Sequence, residues 1–131
     1  MKISMLLPFL VNWIITNTEY KVVDFNIPIT ELSKKELEKK ACNGSCPVVA
    51  FFQPNKGIFY RKMDLKNHCN QSIILHEVIH AIQTKKKAKM QNVFREKEAY
   101  EIQNKFLMYI SKKKDLLEYL NVRKCRSKQN F

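Results

Sequence analysis

The sequence predicts a single α+β domain in which a small antiparallel sheet packs on two long helices. The length of 131 residues suits one domain with one core. Hydrophobic residues make up 45% of the chain and charged residues 27%, which is the balance of a globular protein. With only two glycines and four prolines, long regular elements are expected. Strand-like runs fall before residue 62 and the long helical patterns after residue 70, so both element types contribute to the core.

The apolar N-terminal segment, residues 1–17, fits two interpretations. Lys2 followed by the apolar run from Met5 to Val11 is typical of a secretory signal, although no A-x-A-like cleavage site follows. A first helix of the domain, with Trp13 and Ile14 packed inward, explains the same residues. The run is too short and broken for a stable membrane span. The protein is therefore expected in the cell envelope or exported if the segment is a signal, and in the cytoplasm otherwise.

Residues 20–29 predict the first strand, and Pro28 favours an edge position for it because proline donates no hydrogen bond to a neighbouring strand. Ser33 and Glu36 have the spacing of a capping box, which predicts a helix that runs to about Lys40. We therefore expect a strand followed directly by a helix.

A hairpin is predicted next. The apolar run 47–53 and the strand 58–61 flank the turn sequence 54–57, which contains proline, asparagine and glycine. Residues 64–70 are polar and predict a loop that leads to a helix starting near Gln71. The hairpin and this helix are thus expected to be neighbours in the fold.

The C-terminal part predicts two helices and a basic extension. A long helix is expected over residues 92–110 and a shorter one over residues 115–120. Residues 111–131 form the lysine-rich extension. The single domain is therefore expected to span residues 1–131, with its core before this extension.

The chain has four cysteines, Cys42, Cys46, Cys69 and Cys125. The glycine-containing segment between the first two allows a small disulfide loop in an oxidising compartment, whereas reduced thiols are the alternative. No C-x-x-C pair is present, which argues against a four-cysteine zinc site.

The formal net charge of +12 raises the question of nucleic-acid binding. The lysines, however, are spread along the chain at helix ends and polar faces, and arginines, which bind phosphate through two hydrogen bonds, are few. We therefore do not expect nucleic acid to be the main partner, and the oligomeric state is left open.

A metal-binding pattern lies in the helix that starts near Gln71. The sequence His76-Glu77-Val78-Ile79-His80 places two histidines four residues apart, on one face of a helix. This face is expected to be polar because the apolar residues occupy the opposite arc. That arc contains Ile74, Leu75, Val78, Ile79, Ala81 and Ile82. We therefore predict that His76 and His80 bind zinc and that Glu77 stands beside them.

A catalytic zinc needs a third protein ligand and an open position. Lys86 stands where a metzincin has its third histidine, and His68 lies in the predicted loop. On the helix from residue 92, Glu96 falls within the apolar arc, whereas Glu98 and Glu101 lie on the polar side. A buried carboxylate is costly unless it is paired or bound to a metal. Glu96 is therefore the predicted third ligand, and Glu98 is the alternative.

The predicted chemistry is peptide-bond hydrolysis, with a peptide or protein as the substrate. Zinc lowers the pKa of a bound water from about 15.7 to about 7, and Glu77 would take the proton and pass it to the leaving amine. Tyr100 is the predicted donor to the oxyanion, with Tyr60 and His68 as alternatives. The strand that contains Phe59 and Tyr60 is expected to offer its edge to an extended peptide.

Two segments together resemble the gluzincins, zinc peptidases with a His-Glu-x-x-His helix and a ligating glutamate on a later helix. These segments are residues 76–83 and residues 95–103. In several gluzincin families the ligating glutamate precedes a small residue by three positions, as Glu96 precedes Ala99. The resemblance implies a zincin-like fold and zinc as the cofactor.

The chain is also similar to a family of small, uncharacterised bacterial proteins regarded as metallopeptidases. The likeness spans Trp13 to Leu107 and includes the glutamine three residues after the second histidine and the Glu-x-Glu-Ala-Tyr-x-x-Gln segment. The cysteine pair before the hairpin and the opening from Trp13 to Tyr20 belong to it as well. The basic extension lies outside the likeness.

Two other functions remain open at this point. One is a metal-binding interaction protein that has lost turnover, and the other, less favoured, is a basic nucleic-acid binder. Glu77 separates the peptidase from the interaction protein, because a purely structural metal site does not need a base beside its histidines.

Overall fold

The computed structural model describes residues 1–21 and 24–127 and confirms a mixed α and β architecture. Within these ranges, five helices accompany one three-stranded sheet. In chain order the elements are α1 (Ile3–Asn17), β1 (Ile29–Leu32), α2 (Lys34–Cys42), β2 (Ala50–Gln53), β3 (Gly57–Arg61), α3 (His68–Lys86), α4 (Asn92–Lys113) and α5 (Val122–Ser127).

The sheet has the strand order β1-β3-β2 and is mixed, so the expected antiparallel sheet is wrong. The predicted hairpin is confirmed, since β2 runs antiparallel to β3 and Phe51 pairs with Phe59. Strand β1 instead runs parallel to β3, because α2 carries the chain over before the hairpin begins. As the central strand, β3 has neighbours on both sides, so the expectation that Phe59 and Tyr60 offer a free edge is also wrong.

Strand β1 starts only at Ile29, so of the strand predicted over residues 20–29 only this last residue is confirmed among the described positions; Val22 and Val23 lie outside them. Strand β1 does lie at an edge of the sheet, as expected, although Pro28 precedes the strand and is not part of it. The Pro28 carbonyl accepts a 2.9 Å hydrogen bond from the Ile58 N–H. Gly57, with φ +121°, makes this approach possible, because a Cβ there would lie 2.4 Å from the Pro28 oxygen.

Helix α1 belongs to the core. Its buried residues Leu6, Leu10, Trp13 and Ile14 pack with the apolar arc of α3. The Trp13 ring meets the Phe106 ring of α4 edge-on, with 5.2 Å between the ring centroids. In the described ranges, no helix combines the length and apolar character needed to cross a bilayer.

One helix start and one complete predicted helix differ from the structure. Helix α3 begins at His68, within the predicted loop, because the Asn67 side chain caps it by accepting from the Asn70 N–H. The predicted helix over residues 115–120 is wrong. Asp115 has a left-handed backbone (φ 51°), and the fully exposed Leu117 has no packing partner to hold a helix there. The short helix α5 follows this segment instead.

Candidate metal centre

The packing of α3 against α4 brings the three predicted ligands together. Among the described residues, His76, His80 and Glu96 form a group whose ligand atoms all lie within 4.8 Å of one another. The His76 Nε2 atom is 3.0 Å from the His80 Nε2 atom and 3.3 Å from the Glu96 Oε1 atom. The same Glu96 oxygen contacts the His80 Nε2 atom. The two separations from His76 are close to the roughly 3.3 Å between ligand atoms of a tetrahedral ion with bonds of 2.0–2.1 Å, so the group is one that could hold a metal ion.

His76 is held by a buried chain of hydrogen bonds. Its Nδ1–H donates to the Gln103 Oε1 atom at 2.9 Å. The Gln103 amide in turn donates to the Ser72 hydroxyl at 3.1 Å, and this hydroxyl donates to the Cys69 carbonyl at 2.7 Å. Because the proton of the ring is placed on Nδ1, the Nε2 lone pair is directed toward Glu96 and His80.

His80 is held in the same way by a second glutamine. Its Nδ1–H donates to the Gln83 Oε1 atom at 2.9 Å, and the Gln83 amide donates to the Glu98 Oε1 atom at 3.0 Å. Tyr20 and Lys87 also donate to this carboxylate. Glu98, the alternative ligand, is therefore a support of His80 in this arrangement, and Glu96 is the carboxylate that lies with the two histidines.

The side chains of α3 and α4 are exposed or buried only partly as their helix faces predicted. His76 lies on the polar face of α3, as expected, but α4 covers this face and leaves the residue only 7% exposed. The Glu96 side chain is 48% exposed at the margin of α4, whereas that of Glu98, expected on the polar side, is 21% exposed. Ala99, one turn after Glu96 on α4, is fully buried in the core. Helix α3 is thus buried on its polar side as well, because α4 packs along that side.

The local environment shifts the pKa of three groups. Burial, and then the neighbouring His80, lowers the pKa of His76, which favours the neutral form that binds metals. Burial, and then the charge of Glu96, raises the pKa of Glu77 to about 8. A hydrogen bond from the Phe52 N–H acts in the opposite direction and lowers this pKa, but by less. Burial alone would raise the pKa of Glu98, but hydrogen bonds and the charge of Lys87 outweigh it, so the pKa is lowered.

The three predicted ligands lie at the floor of an open cleft of about 350 Å³. One wall is the segment 47–51, and the other is α5. Tyr100 lines the cleft with its ring centroid 4.5 Å from that of His76. Its hydroxyl is hydrogen-bonded to the Arg126 guanidinium.

The two alternatives to Tyr100 are placed elsewhere. Tyr60 is buried in β3 and does not line the cleft within the described part of the chain. His68 lies eight residues before His76, about 12 Å along the helix axis, and its Nδ1 atom is 3.1 Å from Gln71 Oε1. The structure therefore brings neither residue to the ligand group.

The four cysteines form two disulfides. Cys42 and Cys46 close the small loop that the spacing allows. Cys69 and Cys125 join the first turn of α3 to α5 across 56 residues of sequence, a pairing that the sequence did not indicate. The second bridge lies at the cleft, because Cys125 is one of the lining residues.

Sequence reasoning missed the roles of Gln83, Gln103 and Arg126. A signal for the two glutamines was present. Gln83 is three residues after His80 and Gln103 is seven after Glu96, so each shares a helix face with a ligand. No comparable signal marks Arg126, because its place at the cleft depends on how α5 packs.

Comparison of the chain with protein-family models, curated proteins and solved structures found no match. The resemblance to the gluzincins therefore remains an expectation from two short segments.

Proposed function

We propose that the chain is a zinc-dependent peptidase of zincin-like architecture. One observation carries this proposal: the Nε2 atoms of His76 and His80 converge with the Glu96 carboxylate, while glutamine oxygens occupy both Nδ1 atoms. Glu77 lines the same cleft. Hydrogen-bonded histidines beside an independent carboxylate are what metal-assisted hydrolysis needs.

The ligand set favours zinc. Two imidazole nitrogens and one carboxylate oxygen leave a fourth tetrahedral position open, which is the pattern of catalytic zinc sites. When bound, zinc supplies Lewis acidity, which makes water more acidic and polarises a carbonyl group. His76 and His80 would hold the ion through Nε2, and Glu96 would hold it through a carboxylate oxygen.

Glu77 is the general base of the proposed reaction. Its half-buried carboxylate lies beside the ligands without belonging to the ligand group. The positive charge of a bound zinc ion would lower the raised pKa of Glu77 and favour its carboxylate form. In the reaction, this carboxylate takes one proton from the attacking water as the oxygen adds to the peptide carbonyl carbon. It then gives this proton to the amine as the C–N bond breaks. The hydrogen bond from the Phe52 N–H orients the carboxylate for this transfer.

Strand β2, rather than β3, offers the edge for an extended substrate. The Val49 carbonyl accepts a 2.9 Å hydrogen bond from the Arg61 N–H, so the backbone polar groups of Val49 point toward β3. Because this direction alternates along an antiparallel strand, the N–H and C=O groups of Ala50 and Phe52 point away from β3. The outward N–H of Phe52 donates to Glu77. A peptide that pairs with Ala50 would therefore lie along the cleft.

Tyr100 is the proposed donor to the oxyanion. Its ring packs on His76, and its hydroxyl lies at the cleft wall, where the bond to Arg126 holds it. A donor beyond the metal stabilises the negative charge that develops on the carbonyl oxygen during attack.

The test combines metal analysis with a peptide library. Purified protein should contain about one zinc per chain, and wild type should cleave library peptides. Glu77→Gln should retain zinc and lose about 10²- to 10⁴-fold in rate, whereas Glu101→Gln, an exposed change on α4, should not alter the rate. Tight zinc binding without any cleavage would instead support the metal-binding interaction protein.

A further inference from the structure

Arg126 extends the cleft away from the ligands. Its Cζ atom lies 4.9 Å from the Tyr100 ring centroid, and the Tyr100 ring lies 4.5 Å from that of His76. His76, Tyr100 and Arg126 thus form a continuous series of contacts from the candidate metal centre to the cleft wall. The guanidinium itself belongs to an exposed residue and can meet a ligand from solution.

The backbone around Arg126 is fixed to both helices of the metal centre. The preceding residue, Cys125, forms the disulfide to Cys69 on α3. The Val122 N–H, at the start of α5, donates to the Asn104 Oδ1 atom of α4 at 2.7 Å. An arginine on a six-residue helix therefore has a defined position relative to the metal ligands.

The charge of Arg126 is available to a ligand. Among the described residues that line the cleft, it is the one permanently cationic side chain, and the two carboxyl groups of the lining, Glu77 and Glu96, lie at the floor. No carboxylate in the ranges 1–21 and 24–127 forms an ion pair with Arg126. A guanidinium has five N–H donors, so the bond to Tyr100 leaves donors for a bidentate partner.

We propose that Arg126 binds a carboxylate of the substrate and makes the protein selective for peptides that carry one near the reacting bond. This inference rests on the proposed peptidase function and deepens it. An extended residue spans about 3.3–3.6 Å, so the distances along the series place that carboxylate about one to three residues from the bond at the metal. The carboxylate is either the free C-terminus of the peptide or the side chain of an aspartate or glutamate.

The experiment measures binding, so that it does not depend on turnover. Zinc-loaded Glu77→Gln protein is titrated calorimetrically with N-acetylated peptides that differ only in one charge. The first pair is a peptide acid and its C-terminal amide, and the second pair is a Glu-containing amide and its Gln analogue. We expect at least one pair to show about tenfold tighter binding of the charged member, as a charge-assisted hydrogen bond provides. The pair that responds identifies the source of the carboxylate.

Arg126→Gln, made in the same background, should abolish the difference within the responding pair. Arg123→Gln is the matched control, because it removes the same charge from α5 at a residue outside the cleft lining. It should leave the difference intact. Equal affinities within both pairs, or a preference that persists in Arg126→Gln, would overturn the proposal. The charged and neutral peptides are first compared on protein that retains Arg126. A negative result there is therefore valid even if Arg126→Gln fails to fold.

The outcome is separable from that of the peptidase test. If wild type cleaves no peptide but the Arg126-dependent preference is observed, the peptidase function fails and carboxylate recognition stands. If wild type cleaves acid and amide peptides with equal affinity and rate, and the Glu and Gln peptides likewise, the peptidase function stands and carboxylate recognition fails.

Discussion

The two sides of the cleft are built in different ways. The metal side is carried by α3 and α4, helices of 19 and 22 residues whose facing side chains form buried hydrogen-bond chains. The wall that carries Arg126 is α5, a helix of six residues. This wall is attached through the Cys69–Cys125 disulfide, an asparagine side chain and a small apolar cluster.

The two sides of the cleft therefore depend on different interactions to hold their functional groups in position. Helices as short as α5 are not stable alone, so its position depends on covalent and tertiary attachment. The ligand atoms of the metal side, by contrast, are positioned by side chains that are themselves buried and bonded. Changes on the metal side should therefore act on metal affinity, and changes on the α5 side on global stability and recognition.

The largest effect is expected at the third ligand. Glu96→Ala should weaken zinc binding by about 10³-fold, since one of three ligands provides about 4 kcal/mol of a typical zinc-binding free energy. Glu98→Ala should weaken it by only about 10- to 100-fold, as removal of a support does. Competition with a chromophoric chelator measures both affinities. Equal losses would mean that Glu98 is a ligand as well.

The disulfides should separate stability from metal binding. Replacing Cys69 and Cys125 by serine should lower the free energy of unfolding by about 4 kcal/mol, because that bridge closes a loop of 56 residues. The same change at Cys42 and Cys46, which close a loop of four, should cost about 2 kcal/mol. Urea unfolding measures both. Zinc affinity should be retained in both variants, and its loss on cutting the Cys69–Cys125 bridge would show that the two sides are not independent.

Tyr100 lies where the two sides of the cleft meet. Removal of its hydroxyl group tests whether this residue donates to the oxyanion or only packs between His76 and Arg126. Tyr100→Phe should lower kcat by about 10²-fold with zinc affinity unchanged, since the variant lacks the donor to the oxyanion. Tyr119→Phe, an exposed change, is the control for hydroxyl loss. A full kcat in Tyr100→Phe would limit this residue to packing on His76 and holding Arg126.

The smallest effect is expected at the glutamine supports. Gln103→Leu should weaken zinc binding by about 10- to 100-fold, because the His76 Nδ1–H loses its acceptor. Gln103→Glu keeps an acceptor there and should restore most of the affinity. Gln91→Leu serves as the control, since Gln91 is exposed and makes no side-chain cap for α4. Wild-type affinity in Gln103→Leu would show that helix packing alone orients His76.

Local spacing was enough to predict several features. The capping box at Ser33 and the hairpin each depend on residues a few positions apart, and both are confirmed. The spacing of His76 and His80 likewise placed two imidazoles on one helix face, because a helical turn repeats regardless of the rest of the fold. Glu96 was selected for partly wrong reasons, since it is half-exposed and not buried, although it does reach the histidines.

The features that could not be predicted all join distant parts of the chain. Burial of His76, support of His80 by Glu98 and the pairing of Cys69 with Cys125 each require the relative position of two helices. The parallel direction of β1 requires the path of α2. Sequence periodicity specifies which face of a helix is apolar, but it carries no record of which element covers the opposite face. Here α4 and α5 cover that face of α3, and their packing brings Glu96 to the two histidines and places Arg126 at the wall of the cleft.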